Sequence, residues 1–362
     1  MLIKHVPEDF IVEEIPLREW DDDGPFVVFK LTKISLDTQQ AIDILSKRFH
    51  IPDNDIKYSG TKDKHAYTTQ YISIPNRTGV SKIRLNEDNL KLEHVGYNDA
   101  PLSLGTLKGN RFILTVRELE DKELYALKSK MSKTKSQIKL DSNITIPNYF
   151  DEQRFSSNNY NIGLSIMKRG YKKAVEYMCE SNSIYADTVT IYLAAHPNDY
   201  VGALQRIPKK TLMIFIHSVQ SFIFNEVLSR ILLENAVKKN IKHYIIPYSA
   251  GNFVFYEKSA DYEYISEAFS GSSEFSLELV GFNTPNMNHQ IKYLMTELGL
   301  TQRDFIIRAL PEASVEGAIR ECFIKIQNLD VRIMDDRVIL EFELPKASYA
   351  TIVVKMLFNS TE

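Results

Sequence analysis

The chain alternates between two hydrophobic periods, one typical of strands and the other of helices. Val27–Leu31 has the apolar, β-branched character of a strand. Arg111–Arg117, which follows a polar stretch, has a similar strand-like character. Between them, Asp37 is a candidate N-cap for an amphipathic helix. The apolar residues that share one face of this predicted helix are Ala41, Ile42, Leu45 and Phe49.

The middle of the chain has a more helical pattern, and the strand pattern returns near the C-terminus. Ser218 is a candidate N-cap for a long helix with apolar residues at helical spacing. Val331–Ile333 and Val338–Phe342 flank a polar turn and predict a hairpin. Ser348 is then a candidate cap for a last helix that ends near Phe358. Two β-rich ends around a helical middle predict one domain inserted into another.

Length and composition are those of a globular protein with more than one core. The chain has 362 residues, of which 44% are hydrophobic and 25% are charged. The N-terminus lacks the apolar stretch of a secretory signal, and apolar runs such as Leu212–Ile216 are too short to span a bilayer. The spacing of Cys179 and Cys322 predicts neither a disulfide framework nor a zinc site. We therefore expect a cytoplasmic protein with no membrane partner and no metal.

The formal net charge of −3 does not by itself indicate a polyanionic partner. Phosphate attraction depends on nearby charges, so nucleic-acid binding would rest on local basic clusters. Three clusters are present: Lys128, Lys130, Lys133, Lys135 and Lys139; Lys168, Arg169, Lys172 and Lys173; and Lys238, Lys239, Lys242 and His243. Taken alone, each cluster is more typical of a solvated helix face than of a binding site.

The segment with the most unusual chemistry is Gly60–Gln70, which has the sequence GTKDKHAYTTQ. Its carboxylate, Asp63, is flanked by Lys62 and Lys64, whose positive charge favours the ionised form. An ionised, oriented carboxylate can act as a nucleophile or as a general base. On chemistry alone, a polar turn in which Asp63 caps local amides explains the segment equally well. The segment lacks the two glycines and the Lys-Ser/Thr ending of a phosphate-binding loop.

Gly60–Gln70 resembles the signature Gly-x-Lys-Asp-Lys/Arg-x-Ala-x-Thr-x-Gln of the TruD family of tRNA pseudouridine synthases. Four other segments resemble further motifs of that family and occur in the same order. These segments are Lys4–Glu14 (Pro-Glu-Asp-Phe-x-Val-x-Glu), Leu104–Phe112 (Leu-Gly-x-Leu-Lys-Gly-Asn-x-Phe), Pro147–Phe155 (Pro-Asn-Tyr-Phe-Gly-x-Gln-Arg-Phe) and Leu344–Thr351 (Leu-Pro-x-x-Ser-Phe/Tyr-Ala-Thr). Five ordered motifs are far more specific than one, and they run from residue 4 to residue 351, so the resemblance extends along almost the whole chain.

Two positions depart from the family pattern. Asp151 and Ser156 stand where the family usually has glycine. If those glycines have positive φ, Asp and Ser would tolerate the conformation only partly, and the local loop would differ. The additional carboxylate of Asp151 would also weaken contacts with phosphates.

The resemblance implies an α+β fold with two domains. The catalytic domain would have a mixed, mainly antiparallel sheet with flanking helices, formed from residues 1–160 and 315–362. Residues 161–314 would form the inserted α/β domain typical of the TruD family. The β-rich ends and the helical middle of the chain agree with this division.

The resemblance also implies an isomerase that converts a uridine of tRNA, usually the one at position 13, to pseudouridine. The reaction breaks the N1–C1′ bond and rejoins the base through C5, so it consumes nothing and needs no cofactor. Asp63 would be the essential carboxylate. The residues leave open whether Asp63 attacks C1′, attacks the base or removes the C2′ proton. They also leave the oligomeric state of the protein open.

The target uridine is inaccessible inside stacked RNA, so we expect it to be flipped into a pocket with an apolar face and polar groups. The residues that the motifs place around the nucleoside are Phe10, Phe150 and Tyr349 for packing and Asn148 as a polar anchor. Lys4 would neutralise Asp63 or bind a phosphate. Lys62 and Lys64 are candidates for RNA contact, and Arg154 is a candidate either for RNA contact or for a buried ion pair.

Two other functions remain compatible with these residues. One is a non-catalytic RNA-binding protein or tRNA chaperone with the same fold, although a pure binder would not need the carboxylate of Asp63. The other is a hydrolase that cleaves a glycosidic bond with a pair of carboxylates, Asp63 with Glu13 or Glu14. That reaction requires a defined distance between two acids, which only a structure supplies.

Overall fold

The computed structural model describes residues 1–130, 144–156, 158–181, 183–262, 265 and 275–360, and the backbone of residues 138–139. The chain divides into two compact units. The first comprises Met1–Ile144 and Lys325–Ala350, and the second comprises Thr145–Ile324 and Thr351–Thr361. The domain boundaries predicted near residues 160 and 315 stay a prediction.

The strands and helices are numbered in chain order. The strands are β1 (Phe10–Pro16), β2 (Phe26–Ile34), β3 (Lys57–Tyr58), β4 (Tyr67–Pro75), β5 (Leu85–Asn86), β6 (Leu90–Asn98), β7 (Leu107–Arg117), β8 (Ile138–Lys139), β9 (Ile144–Pro147), β10 (His243–Tyr248), β11 (Gly251–Tyr256), β12 (Ser276–Leu279), β13 (Ala318–Glu321), β14 (Phe323–Ile333) and β15 (Arg337–Pro345). The α-helices are α1 (Thr38–Phe49), α2 (Asp121–Lys130), α3 (Asn159–Met167), α4 (Tyr171–Glu180), α5 (Ala186–Ala195), α6 (Tyr200–Leu204), α7 (Lys209–Lys239), α8 (His289–Glu297) and α9 (Ala350–Phe358).

The first unit is built on one mixed sheet with the strand order β5-β6-β2-β4-β1-β7-β15-β14-β8. The pairing of β1 with β4 is parallel. The pairings of β2 with β4 and β6, of β1 with β7, and of β7 with β15 are antiparallel. The predicted α+β class with a mixed, mainly antiparallel sheet is therefore confirmed.

Helix α1 packs its apolar face into the core of the first unit, as its sequence pattern predicts. The Asp37 carboxylate accepts a hydrogen bond of 2.8 Å from the backbone N–H of Gln40, which confirms the N-cap. Ala41, Ile42 and Leu45 are buried in one cluster with apolar residues of β2, β4 and β6. Removing a side chain the size of Ile42 or Leu45 from water contributes about 1.5–3 kcal/mol to folding.

Strand β7 contains one of the motif glycines, and the sheet explains its presence. Gly109 pairs with Pro345 of β15. A Cβ atom at Gly109 would lie 2.2 Å from the carbonyl oxygen of Leu344, which is far inside van der Waals contact. The predicted hairpin is also confirmed, because Ile333 of β14 pairs with Val338 of β15.

The second unit combines helices α3 to α8 with the antiparallel strand pairs β10–β11 and β12–β13. The prediction that Ser218 caps the long helix is wrong, since α7 begins at Lys209 after Pro208. Ser218 is buried inside the helix, where its hydroxyl donates a hydrogen bond of 2.6 Å to the carbonyl of Phe215. This local bond satisfies the hydroxyl within the helix, so a serine there does not mark a helix start.

Helix α7 is long and apolar enough to cross a membrane by length and composition alone. Its most hydrophobic window is 72% buried within the protein, as expected for a core helix. Helix α7 is therefore only weak evidence that the protein crosses a membrane.

The last helix, α9, ends at Phe358 as predicted, but Ser348 does not cap it. The buried hydroxyl of Ser348 has no hydrogen-bond partner within the part of the chain that the structure describes. Ser348 lies two residues before the first helical residue, Ala350, one position too early for an N-cap.

Candidate active site

Asp63 lies in an irregular loop between β3 and β4, which we call the Asp63 loop (residues 59–66). The loop is held mainly by buried side chains. The hydroxyl of Thr38 accepts a hydrogen bond of 3.0 Å from the backbone N–H of Lys62 and donates one of 3.0 Å to the amide oxygen of Gln70. The Gln70 side chain in turn donates to the carbonyl of Gly60 at 3.1 Å. The glutamine of the family signature thus supports the loop that carries the aspartate.

Lys33, on β2, supports the same loop from the protein interior. Its side-chain ammonium donates hydrogen bonds to the carbonyl oxygens of Leu36 at 2.6 Å, Lys62 at 3.2 Å and Asp63 at 2.9 Å. The residue has no exposed surface. Burial lowers the pKa of the Lys33 ammonium to about 8, although the nearby carboxylates of Asp63 and Asp37 oppose that shift.

Lys4 connects Asp63 with Phe10. Its ammonium lies 2.8 Å from the Asp63 carboxylate and 4.0 Å from the centre of the Phe10 ring. The Asp63 side chain is 35% exposed, whereas Phe10 is buried and packs edge-on against Phe112. Three of the predicted site residues therefore meet at one place, and the carboxylate there is open to solvent.

The neighbouring lysines of the signature have different environments. The ammonium of Lys62 is bonded at 2.7 Å to the carboxylate of Glu14, and both side chains are almost fully buried. Burial raises the pKa of Glu14, and the charge of Lys62 opposes the shift. Lys64 is exposed, so its side chain is accessible to solvent. Glu13 is bonded at 2.8 Å to Arg111, so both carboxylates considered for a hydrolase are engaged in ion pairs.

In the second unit, Asn148 is hydrogen-bonded to a buried arginine. Both its backbone carbonyl and its side-chain oxygen accept hydrogen bonds from Arg320, at 2.9 Å and 2.8 Å. Its side-chain N–H donates to the carbonyl of Glu321 at 3.0 Å. Asn148 and Arg320 are both buried.

Phe150 lies directly against this arginine. The guanidinium carbon of Arg320 is 4.0 Å from the centre of the Phe150 ring, in cation–π geometry, and that of Arg154 is 5.5 Å away. The side chain of Asn225 forms two hydrogen bonds with the backbone of Phe150, at 2.9 and 2.8 Å. Asn148, Phe150 and Arg154 thus form one group, organised by Arg320 and Asn225.

The two departures from the family glycines cause no backbone strain. Asp151 has a φ of −79°, and Ser156 does not have a positive φ. The carboxylate of Asp151 is bonded at 2.8 Å to the ammonium of Lys355 and at 2.5 Å to the hydroxyl of Thr351. Its negative charge is therefore neutralised locally, which removes the reason to expect weaker phosphate contacts.

The remaining candidates are Tyr349 and the lysine clusters. Tyr349 is half-buried and directly precedes α9. In the second basic cluster, the ammonium of Lys172 lies 3.9 Å from the carboxylate of Glu176, and that of Lys173 lies 5.4 Å from the centre of the Tyr177 ring. Two members of the first cluster, Lys133 and Lys135, lie outside the described residues.

The motifs do not mark Lys33 or Arg320, although both contact predicted site residues. A weak signal exists for Lys33, because it continues the alternation of Val27, Phe29 and Leu31 along β2. A lysine at a position where the pattern requires a core residue is unusual. Across the described ranges, no group of three or more His, Cys, Asp or Glu side chains is arranged to hold a metal.

The comparisons with known proteins agree with this architecture. The family model of tRNA pseudouridine synthase D (TruD) matches residues 1–190 and 180–357. Two similar curated proteins are named "Probable tRNA pseudouridine synthase D 1" and "Probable tRNA pseudouridine synthase D 2". The one from Methanococcus maripaludis is 30% identical and is matched over 99% of this chain and 100% of its own length. The one from Methanocaldococcus jannaschii is 30% identical over 99% of this chain and 92% of its own length.

The fold is similar to the crystal structure of a TruD protein from Methanosarcina mazei. The TM-score is 0.65 at 23% sequence identity, over 98% of this chain and 93% of the other. This likeness supports the fold, and the family match supports the chemistry. Because the family model covers almost the entire chain, the chain belongs to the TruD family and is a tRNA pseudouridine synthase, an isomerase.

Proposed function

We propose that Asp63 is the essential carboxylate with which this enzyme isomerises a uridine of tRNA, and that uridine 13 is the target. The observation that carries the proposal is the environment of Asp63. Its carboxylate is 35% exposed and bonded at 2.8 Å to Lys4. The loop behind it is held by Thr38, Gln70 and Lys33. An accessible charged group on a supported backbone is suited to act on a substrate.

The reaction is balanced without any added reactant. The N1–C1′ bond of uridine breaks, the C5–C1′ bond forms, C5 releases a proton and N1 gains one. Three roles are compatible with Asp63: attack on C1′, attack on the base, or removal of the C2′ proton. In each of them the carboxylate must be ionised at the start, and the ion pair with Lys4 is an interaction of that ionised form.

Recognition of the uridine requires that it leave the RNA stack. Phe10 is a proposed apolar partner for the flipped nucleoside, because the ammonium of Lys4 lies close both to its ring and to the carboxylate of Asp63. The contacts proposed for Asn148, Phe150 and Tyr349 rest on the family motifs. Lys64 is the better candidate for a phosphate contact than Lys62, whose ammonium is bonded to the buried Glu14.

The test compares the wild-type enzyme with Asp63→Asn on unmodified tRNA transcripts, with pseudouridine mapped by carbodiimide labelling and primer extension. Asp88→Asn, at an exposed position of the same unit, is the matched control. We expect pseudouridine at position 13 with wild type and control, and none with Asp63→Asn. Equal modification by all three would exclude a catalytic role for Asp63. Release of free uracil would indicate a hydrolase, and binding without modification would indicate a chaperone.

A further inference from the structure

Lys33 occupies a position that the strand pattern reserves for an apolar residue. Val27, Phe29 and Leu31 have no exposed surface and face the core from β2, and Lys33 continues this face. A buried lysine is costly unless its ammonium is fully hydrogen-bonded. Its presence there therefore calls for an explanation in terms of its partners.

The partners of Lys33 account for all three of its ammonium protons. They are the carbonyl oxygens of Leu36, Lys62 and Asp63. Two of these carbonyls belong to consecutive residues of the Asp63 loop, which is neither strand nor helix along residues 60–65. Backbone groups that lack a partner in a sheet or helix must be satisfied in another way. The carbonyl of Lys62 precedes the Asp63 Cα atom and the carbonyl of Asp63 follows it, so Lys33 restrains the peptide units on both sides of that atom.

We propose that Lys33 is a positioning residue, which fixes the backbone of Asp63 through three ammonium hydrogen bonds and sets the rate of isomerisation through that restraint. This inference rests on the function proposed for Asp63. Lys33 has no exposed surface, so it does not touch the substrate. It acts through Asp63.

The proposal has a consequence for the pH dependence of the reaction. A neutral amine has two N–H donors, so loss of the proton leaves one of the three carbonyls without a partner. The charged groups that act on Lys33 are the carboxylates of Asp63 and Asp37, which favour the proton, and the ammonium of Lys62, which disfavours it. With a pKa of about 8, the lysine is charged at lower pH and neutral at higher pH. The rate is therefore expected to fall as the pH rises through about 8.

The test is Lys33→Met in the full-length enzyme, with Lys30→Met as the matched control. Lys30 lies on the same strand, is half-buried and points to the opposite face of the sheet. Single-turnover release of tritium from tRNA labelled at uridine C5 measures the rate constant, and filter binding measures the Kd for tRNA. We expect Lys33→Met to lower the rate constant by about 100-fold with little change in Kd. Its residual rate should be independent of pH where wild type and Lys30→Met show the alkaline fall.

A merely structural role predicts a different result. A Lys33→Met rate constant close to that of wild type, or the same alkaline fall in the variant, would overturn the proposal. If Lys33→Met does not fold, as judged by circular dichroism, the pH profile of Lys33→Arg decides, because a guanidinium does not lose its proton in this range. A flat profile supports the proposal, and the wild-type fall overturns it. Asp63→Asn is assayed in parallel: full activity there refutes the function proposed for Asp63, whereas an inactive Asp63→Asn beside an unchanged Lys33→Met refutes only the role of Lys33.

Discussion

Lys4 donates a hydrogen bond of 2.8 Å to Asp63, although 59 residues separate them in the chain. The pair joins the start of the first family motif to the aspartate of the signature. The backbone of Lys4 has a φ of +63°, in the left-handed region that residues with a Cβ atom rarely adopt. Such conformations cost about 1–3 kcal/mol and occur where surrounding structure enforces them, often at functional sites.

We expect Lys4→Met to slow isomerisation by about 10- to 100-fold, because Asp63 loses the ammonium that orients it. The side chains of Lys4 and Asp63 are 25% and 35% exposed, so the loss of stability should stay below about 1 kcal/mol. Single-turnover assays and urea denaturation measure the two effects. Lys91→Met, at an exposed position of β6, is the control. An unchanged rate in Lys4→Met would show that the ion pair does not contribute to catalysis.

The buried pair of Glu14 and Lys62 should matter for stability. Their side chains are 1% and 6% exposed, so Glu14→Gln leaves the ammonium of Lys62 without its counter-ion. We expect this change to lower the free energy of unfolding by about 3–5 kcal/mol. The double variant Glu14→Leu with Lys62→Met removes both charges and should recover much of that loss. Urea denaturation checks both, and a double variant less stable than Glu14→Gln contradicts the explanation.

Asp151 and Lys355 should be energetically coupled, because their side chains are 8% and 21% exposed and bonded at 2.8 Å. Asp151→Asn should cost about 1–3 kcal/mol, since it removes the charge but keeps an acceptor for Thr351. A double-mutant cycle with Lys355→Met isolates the pair. Additive effects would show that the bond makes no net contribution. Glu152→Gln, exposed and adjacent, controls for the loss of one negative charge.

Lys33 should make stability and activity change in opposite directions with pH. Its pKa is about 8 in the folded protein, against an ordinary value of 10.5. Between these values the unfolded chain binds more protons, so the contribution of Lys33 to stability rises with pH. The free energy of unfolding of wild type relative to Lys33→Met should therefore increase above about pH 8. Denaturation curves at several pH values measure this difference. A decrease of the difference with rising pH would contradict the lowered pKa of Lys33 in the folded protein.

The local elements could be predicted from the sequence because their causes are local. The cap at Asp37, the buried face of α1 and the hairpin of β14 and β15 follow from short-range periodicity and turn chemistry. The wrong prediction for Ser218 has the same origin as the correct one for Asp37. Both side chains form hydrogen bonds with backbone groups three residues away, and inside α7 the serine hydroxyl donates to the carbonyl of Phe215 instead of capping a helix start.

The motifs identified Asp63, Lys4 and Phe10 as site candidates, and the structure brings these three together. The motifs could not show what holds them. Lys62 is paired with Glu14, and Asn148 holds Arg320, which lies 172 residues further along the chain. These partners depend on which polar groups face each other after the strands have paired.

The sequence by itself indicated strands β2 and β7, helix α1 with its cap at Asp37, and the hairpin of β14 and β15, and its motifs proposed Asp63 as the candidate catalytic carboxylate. Only the tertiary structure decided that Lys33 lies behind that carboxylate, with its ammonium bonded to the carbonyl of Asp63 at 2.9 Å. The physical reason is the range of the interactions. Hydrophobic periodicity and helix capping depend on residues a few positions apart. The hydrogen-bond partners of a buried charge depend on the packing of strands that are distant in the chain.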